Sequence, residues 1–155
     1  MVGKNYFKEG PWGGSDGEEW TDGTYCDITG IKVRVSKGQG IRAIQFSYRL
    51  NSINNTKISI DAPQHGSENG DETREINLNA EDEHLKQILV EWGELGTNGP
   101  NVVKRLTFIT DHKTYDPIGP EGTNKSNSSD DKKIVGFYGG SGEYLSYIGV
   151  YTREI

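Results

Sequence analysis

Hydrophobic and polar residues alternate along much of this chain. Ile31, Val33 and Val35 fall on one side of an extended segment, with Lys32, Arg34 and Ser36 on the other, and the period of two returns at Ile44, Phe46, Tyr48 and Leu50. Successive side chains of a strand point to opposite faces, so each segment predicts a half-buried strand. Residues 57–61, 74–78, 88–92, 102–110, 133–138 and 145–153 carry further strand signals. Turn-forming clusters separate them, among them SKGQG (36–40), HGSENG (65–70) and GPEG (119–122). This regular spacing predicts an all-β architecture of antiparallel sheets, as a sandwich, barrel or prism. The one stretch with helical character, AEDEHLK (80–86), is short and acidic and reads as a turn leading into a strand. NKSNSSDDKK (124–133) holds no apolar residue and is expected to form a mobile surface loop.

Composition narrows the function. The 155 residues make one domain with a real core, expected over 1–155, and no segment reads as an interdomain linker. Twenty-one glycines, eight tyrosines, four phenylalanines and three tryptophans agree with many turns between aromatic strands. A formal net charge of −6 without a basic block repels phosphate backbones, so nucleic acid is excluded as an expected partner. Cys26 is the only cysteine, so there is no internal disulfide and no cysteine-based metal spacing; it reads as a small buried hydrophobe. No apolar run has the length of a signal peptide core or a membrane span, so the expected location is cytoplasmic or nuclear, without membrane insertion. The N-x-Ser/Thr triplets at Asn54, Asn124 and Asn127 would then not be glycosylated. His65, His84 and His112 form no metal-ligand spacing and are expected at the surface or in turns.

The most distinctive chemistry lies near the end, in GGSGEYLS (139–146). A phosphate-binding loop would need Gly-Lys-Ser/Thr before a helix, and a nucleophile elbow would need glycine where Glu143 stands. What remains is a glycine-rich bend entering a strand. Such a bend either forms a tight hairpin and nothing more, or leaves backbone N–H groups pointing outward, which suits a ligand covered in hydroxyls. The adjacent acids Glu18-Glu19 and Asp130-Asp131 read as solvated turns rather than as the carboxylate pair of a glycosidase.

Near the start stands GPWGG (10–14), followed by SDGEEWTDG (15–23). With GIRAIQFSY (40–48), VVKRLTFITD (102–111), YDPIGPEGT (115–123) and IVGFYGGSGEYLSYIGVY (134–151), these stretches resemble the jacalin-related lectins of mannose/glucose type. The resemblance runs over residues 10–153. It implies a β-prism I fold: three antiparallel four-stranded Greek-key sheets about a pseudo-threefold axis, with the two chain ends sharing one sheet. It also implies a lectin and not an enzyme, one that needs no cofactor or metal, binds mannose/glucose-type glycans, possibly oligomannose among them, and forms homo-oligomers. The alternative within the family is a sugar-silent or altered-specificity domain that acts as a protein-interaction or assembly module.

The family's sugar site resembles a G-x-x-x-D loop joined to the N-terminal glycine loop. The matching residues are Gly142, Glu143, Tyr144, Leu145 and Ser146, together with Gly17. Carried over, the amides of Glu143, Tyr144 and Gly17 donate to the oxygens of a hexopyranose. The family aspartate is replaced by Ser146, which has one uncharged oxygen in place of two charged ones. Asp16 or Glu143 could return a carboxylate to the site, and Tyr144 or Tyr138 could wall it. The symmetry-related loop pair at 36–40 and 65–70 has no acid in its first member, which argues against a second site of the usual chemistry. Trp12 and Trp20 are expected to pack the sheet ends.

Overall fold

The computed structural model describes residues 6–53, 56–78 and 82–155. They form twelve strands: β1 (Phe7–Gly13), β2 (Glu18–Thr21), β3 (Asp27–Ser36), β4 (Gly40–Ile53), β5 (Thr56–Asp61), β6 (His65–Gly66), β7 (Glu72–Asn77), β8 (Leu85–Glu94), β9 (Asn101–Thr110), β10 (Asn124–Asn127), β11 (Lys133–Ser141) and β12 (Leu145–Arg153). Every pairing is antiparallel, and the strands fall into three sheets ordered β1-β12-β11-β2, β10-β8-β9 and β5-β4-β3-β7, with β6 on β4. A long hairpin forms the centre of each sheet: β11–β12, β8–β9 and β3–β4. This repetition is the pseudo-threefold architecture of a β-prism, and β1 lies beside β12, so both ends of the chain share a sheet.

The strand counts are four, three and five rather than four in each sheet, and the departures have local causes. On the free side of β9, residues 114–118 bridge only at Ile109↔Thr114 and Leu106↔Ile118, because Pro117 can donate no ladder hydrogen bond. On the free side of β4, β5 and β6 occupy one line that Pro63 interrupts. Each sheet therefore has four strand positions.

The inward faces of the three sheets meet in one core. Phe46 of β4 and Phe137 of β11 stack at 3.7 Å between ring centroids, surrounded by Ile31, Ile44, Ile88, Leu106, Phe108 and Ile148. Trp12 and Trp20 pack against this cluster from its margin, as expected. Asp27 is a second, polar tie. Its buried carboxylate accepts from Arg49 at 2.6 Å and pairs with His84 at 2.8 Å and Lys133 at 3.6 Å, joining two of the sheets to the segment that leads into β8 of the third.

Two expectations are corrected. Residues 124–133 do not form a free loop. Asn124–Asn127 pair with β8, the Ser128 hydroxyl accepts from the Ile88 amide at 2.9 Å, and Ser129 donates to Glu9 through its amide and its hydroxyl. An edge strand is held by its backbone, so it needs no apolar side chain. The histidines also differ from one another: His112 is exposed, whereas His84 holds Asp27, and His65 bonds Asp22 at 2.7 Å while stacking on Trp20 at 3.7 Å. Of 80–86, residues 80 and 81 lie outside the described residues, as does Asn54; Asp82 is a turn and the strand begins at Leu85.

Phe137→Ala removes one ring of the central stack and leaves a cavity among three sheets. The expected cost is about 3–5 kcal/mol in chemical unfolding, with the far-ultraviolet circular dichroism of the folded state retained.

Candidate functional site

Strand β11 turns into β12 through Gly142, Glu143 and Tyr144, with Ser141 opposite Leu145 after a register shift. The Gly142 amide donates to the Tyr144 carbonyl at 3.0 Å, which closes the turn on itself. Among the described residues the amides of Glu143 and Tyr144 have no acceptor, so both remain available to a ligand.

The N-terminal glycine loop is laid directly against this turn. The Gly14 amide donates to the Ser146 carbonyl at 2.7 Å, and any side chain at Gly13 would run into that same carbonyl. Gly17 has φ +93°, and a Cβ there would sit 2.8 Å from the Ser141 carbonyl carbon. Only glycine meets both conditions. Gly142 differs: no atom lies within 4 Å of where its Cβ would stand, so the space above it is open to a ligand.

The two loops enclose a cleft of about 190 Å³, on the scale of one sugar ring. Asp16, Gly17, Gly142, Glu143, Tyr144 and Ser146 all line it. Leu145, the remaining residue carried over from the family pattern, does not; its side chain is fully buried in the core, out of phase with the outward Tyr147, Gly149 and Tyr151, at the point where the β11–β12 ladder shifts register between Gly140 and Ser141. The Asp16 and Glu143 side chains are exposed, whereas Ser146 is buried and its hydroxyl bonds no other described residue. The cleft thus offers unspent backbone donors, one hydroxyl and two carboxylates.

Sequence reasoning missed the third wall. Leu95, Pro100 and Val102 line the cleft from the β8–β9 hairpin, whose turn is closed by Leu95 N–H to the Pro100 carbonyl at 2.9 Å. The run GTNGP (96–100) signals a turn, but its position beside the cleft follows from the threefold arrangement alone. The β3–β4 hairpin reaches the same pole. Arg42 lies 4.0 Å from the Tyr144 ring centroid and donates to the Glu143 carbonyl at 3.3 Å and to the Ser36 hydroxyl at 2.7 Å. The Tyr144 hydroxyl donates to Gln39 Oε1 at 2.6 Å. Tyr144 therefore walls the cleft as a ring clamped from below, and Tyr138 lies away from it on the outside of its sheet. In the symmetry-related loop at 36–40, Lys37 N–H bonds Asp71 at 3.0 Å and Gln39 Oε1 accepts from the Tyr144 hydroxyl.

A profile of the jacalin-like lectin domain matches residues 9–151. The chain belongs to the jacalin-like lectin family. Members of this family and the relatives below are lectins, non-enzymatic carbohydrate-binding proteins. A mannose/glucose-specific lectin of Parkia platycephala is 33% identical over 154 residues, which is 98% of this chain and 33% of that lectin. The chain spans about a third of that relative's length, and 23% and 46% of the next two curated relatives. Among solved structures, single-chain recombinant jacalin matches with a TM-score of 0.86 at 28% identity, covering 99% of this chain and 97% of that one. The mannose-binding lectin from champedak matches with a TM-score of 0.85 at 31% identity, covering 98% and 99%. In this jacalin-like domain the fold is therefore that of the β-prism lectins.

The two glycines of the cleft should respond differently to the same change. Gly17→Ala is expected to lower the free energy of unfolding by about 1–3 kcal/mol. Gly142→Ala, where the backbone is ordinary and the space empty, is expected to stay within about 0.5 kcal/mol of the unaltered protein in the same urea titration.

Proposed function

We propose that this jacalin-like domain binds mannose- or glucose-type glycans in the cleft between residues 14–17 and 142–146, without a metal ion. One observation carries the reading: two glycine-bearing loops from opposite ends of the chain leave the Glu143 and Tyr144 amides unspent around an opening the size of one pyranose. The relatives named for mannose or glucose support the same sugar class.

In this reading the amides of Gly17, Glu143 and Tyr144 donate to ring and hydroxymethyl oxygens, while side-chain oxygens accept from the sugar hydroxyls. Ser146 holds the acceptor position at the foot of the cleft. A hydrogen bond to a charged group contributes roughly 1.5–3 kcal/mol, against roughly 0.5–1.5 for a neutral one, so a serine holds a hydroxyl less firmly than a carboxylate would. Asp16 and Glu143, both exposed and both lining the cleft, supply the missing charge in this reading. One sugar hydroxyl donating to the Ser146 oxygen and a second donating to a rim carboxylate is the arrangement this combination favours.

Titration calorimetry with methyl α-mannoside tests the reading. Binding is expected to be weak in the unaltered protein, unchanged by a chelator, and tightened about tenfold or more in Ser146→Asp. Asp16→Asn combined with Glu143→Gln is expected to weaken it, and Gly142→Val to abolish it while leaving the fold intact. No heat with the unaltered protein or with Ser146→Asp would count against the reading, as would full affinity in the double variant.

A further inference from the structure

A second depression among the described residues is larger than the loop cleft. It lies on the outer face of the β1-β12-β11-β2 sheet and measures about 690 Å³. Its floor follows a rule of register. Outward positions of β11 and β12 pair as Gly136 with Tyr151, Tyr138 with Gly149 and Gly140 with Tyr147, so each tyrosine stands opposite a glycine. The absent side chains let the rings fold down onto the sheet. A Cβ at Gly149 or Gly140 would collide with the ring across from it, and one at Gly136 would lie 3.1 Å from the Tyr151 ring. Each ring lies against the glycine opposite it. Lys8 covers the Tyr138 ring at 4.5 Å, whereas Tyr147 and Tyr151 are half-buried and line the depression.

The rim is polar. Ser15 and the Glu19 carboxylate line it, and the Thr21 hydroxyl bonds the Tyr151 hydroxyl at 2.9 Å. Gly140 pairs with Tyr147 on one side and with Glu19 on the other, and burial, and then the Glu19 charge, raise the Tyr147 phenol above its usual range. Apart from Pro11 no aliphatic side chain lines the depression. Flat rings bordered by hydroxyls and a carboxylate match a pyranose, which offers C–H faces to rings and hydroxyls to acceptors.

The depression adjoins the loop cleft across a single loop. Gly14 and Ser15 line the outer depression, and the next two residues, Asp16 and Gly17, line the cleft. One loop is the ridge between them. We propose that the outer face, through Tyr147 and Tyr151, is a second saccharide subsite that takes the inner residues of a glycan whose terminal residue occupies the loop cleft. The inference rests on the cleft binding a sugar, and it assigns the domain an oligosaccharide rather than a monosaccharide ligand.

The test compares methyl α-mannoside with a linear mannopentaose by calorimetry, using the unaltered protein, Tyr147→Leu and Tyr151→Leu. Leucine keeps each glycine covered but offers no ring face. The pentaose is expected to bind at least roughly tenfold more tightly than the monosaccharide. Each variant is expected to lose most of that gain with the methyl mannoside affinity unmoved. The backbone amide resonance of Tyr151, five residues beyond Ser146 on β12, should shift in the unaltered protein with the pentaose and not with the monosaccharide, a readout that needs no variant to fold. The proposal is overturned if the pentaose binds no better than the monosaccharide, or if its advantage survives both variants. It is equally overturned if sedimentation shows Tyr147→Leu dissociating a dimer while pentaose affinity holds, since the face would then join two copies. If methyl mannoside itself does not bind, the cleft reading fails and this inference falls with it.

Discussion

The contact between the glycine backbone of residues 13–17 and the backbone of residues 141–147 governs this molecule. It closes the first sheet around the last hairpin, and the same closure makes the cleft. A side chain at Gly13 or Gly17 would wedge the two stretches apart, and with them β1 and β2 from β12 and β11. Because the partners come from opposite ends of the chain, the contact forms only after a large loop has closed, which costs entropy that local contacts cannot offset. The buried ties elsewhere, the Phe46–Phe137 stack and the Asp27 cluster, hold the three sheets in the orientation that brings the ends together.

How much of this was legible in the sequence depended on where each segment's stabilisation comes from. Strands β3, β4, β9 and β12 bury their apolar side chains in the core while their polar and aromatic outer positions are mostly half-buried, so much of their alternation is written in side chains. Strands β1, β2 and β10 are mostly exposed edge or near-edge strands held by backbone hydrogen bonds, and NKSN at 124–127 carries no side-chain trace of its pairing. The half-buried states of His65 and His84 were equally silent, because their partners Trp20, Asp22 and Asp27 lie 43 to 57 positions away.

The site divides along the same line. Gly17 is demanded by the close approach of the Ser141 backbone, whereas the positions from Gly142 to Ser146 were legible only through the resemblance to the family motif. Leu95 and Pro100 were not legible, nor was the clamp of Arg42 and Gln39 on Tyr144. Those residues arrive from the other two hairpins, and only the threefold arrangement converts their distance in sequence into contact. Leu145 shows the converse: a motif position whose side chain serves the core, one residue away from two that face the cleft.

The antiparallel pairing of β1 with β12 has a consequence for how such a domain could be tethered. Phe7 stands opposite Thr152, while the cleft lies at the Gly13 and Leu145 ends of the same two strands. Nine residues of strand separate them, about 25–30 Å. Polypeptide continuing from either end would leave side by side from the pole facing away from the cleft. Domains strung together in this way would hang from a common stem with their binding ends outward, and the spacing between those ends would be set by linker length rather than by any rearrangement of the prism.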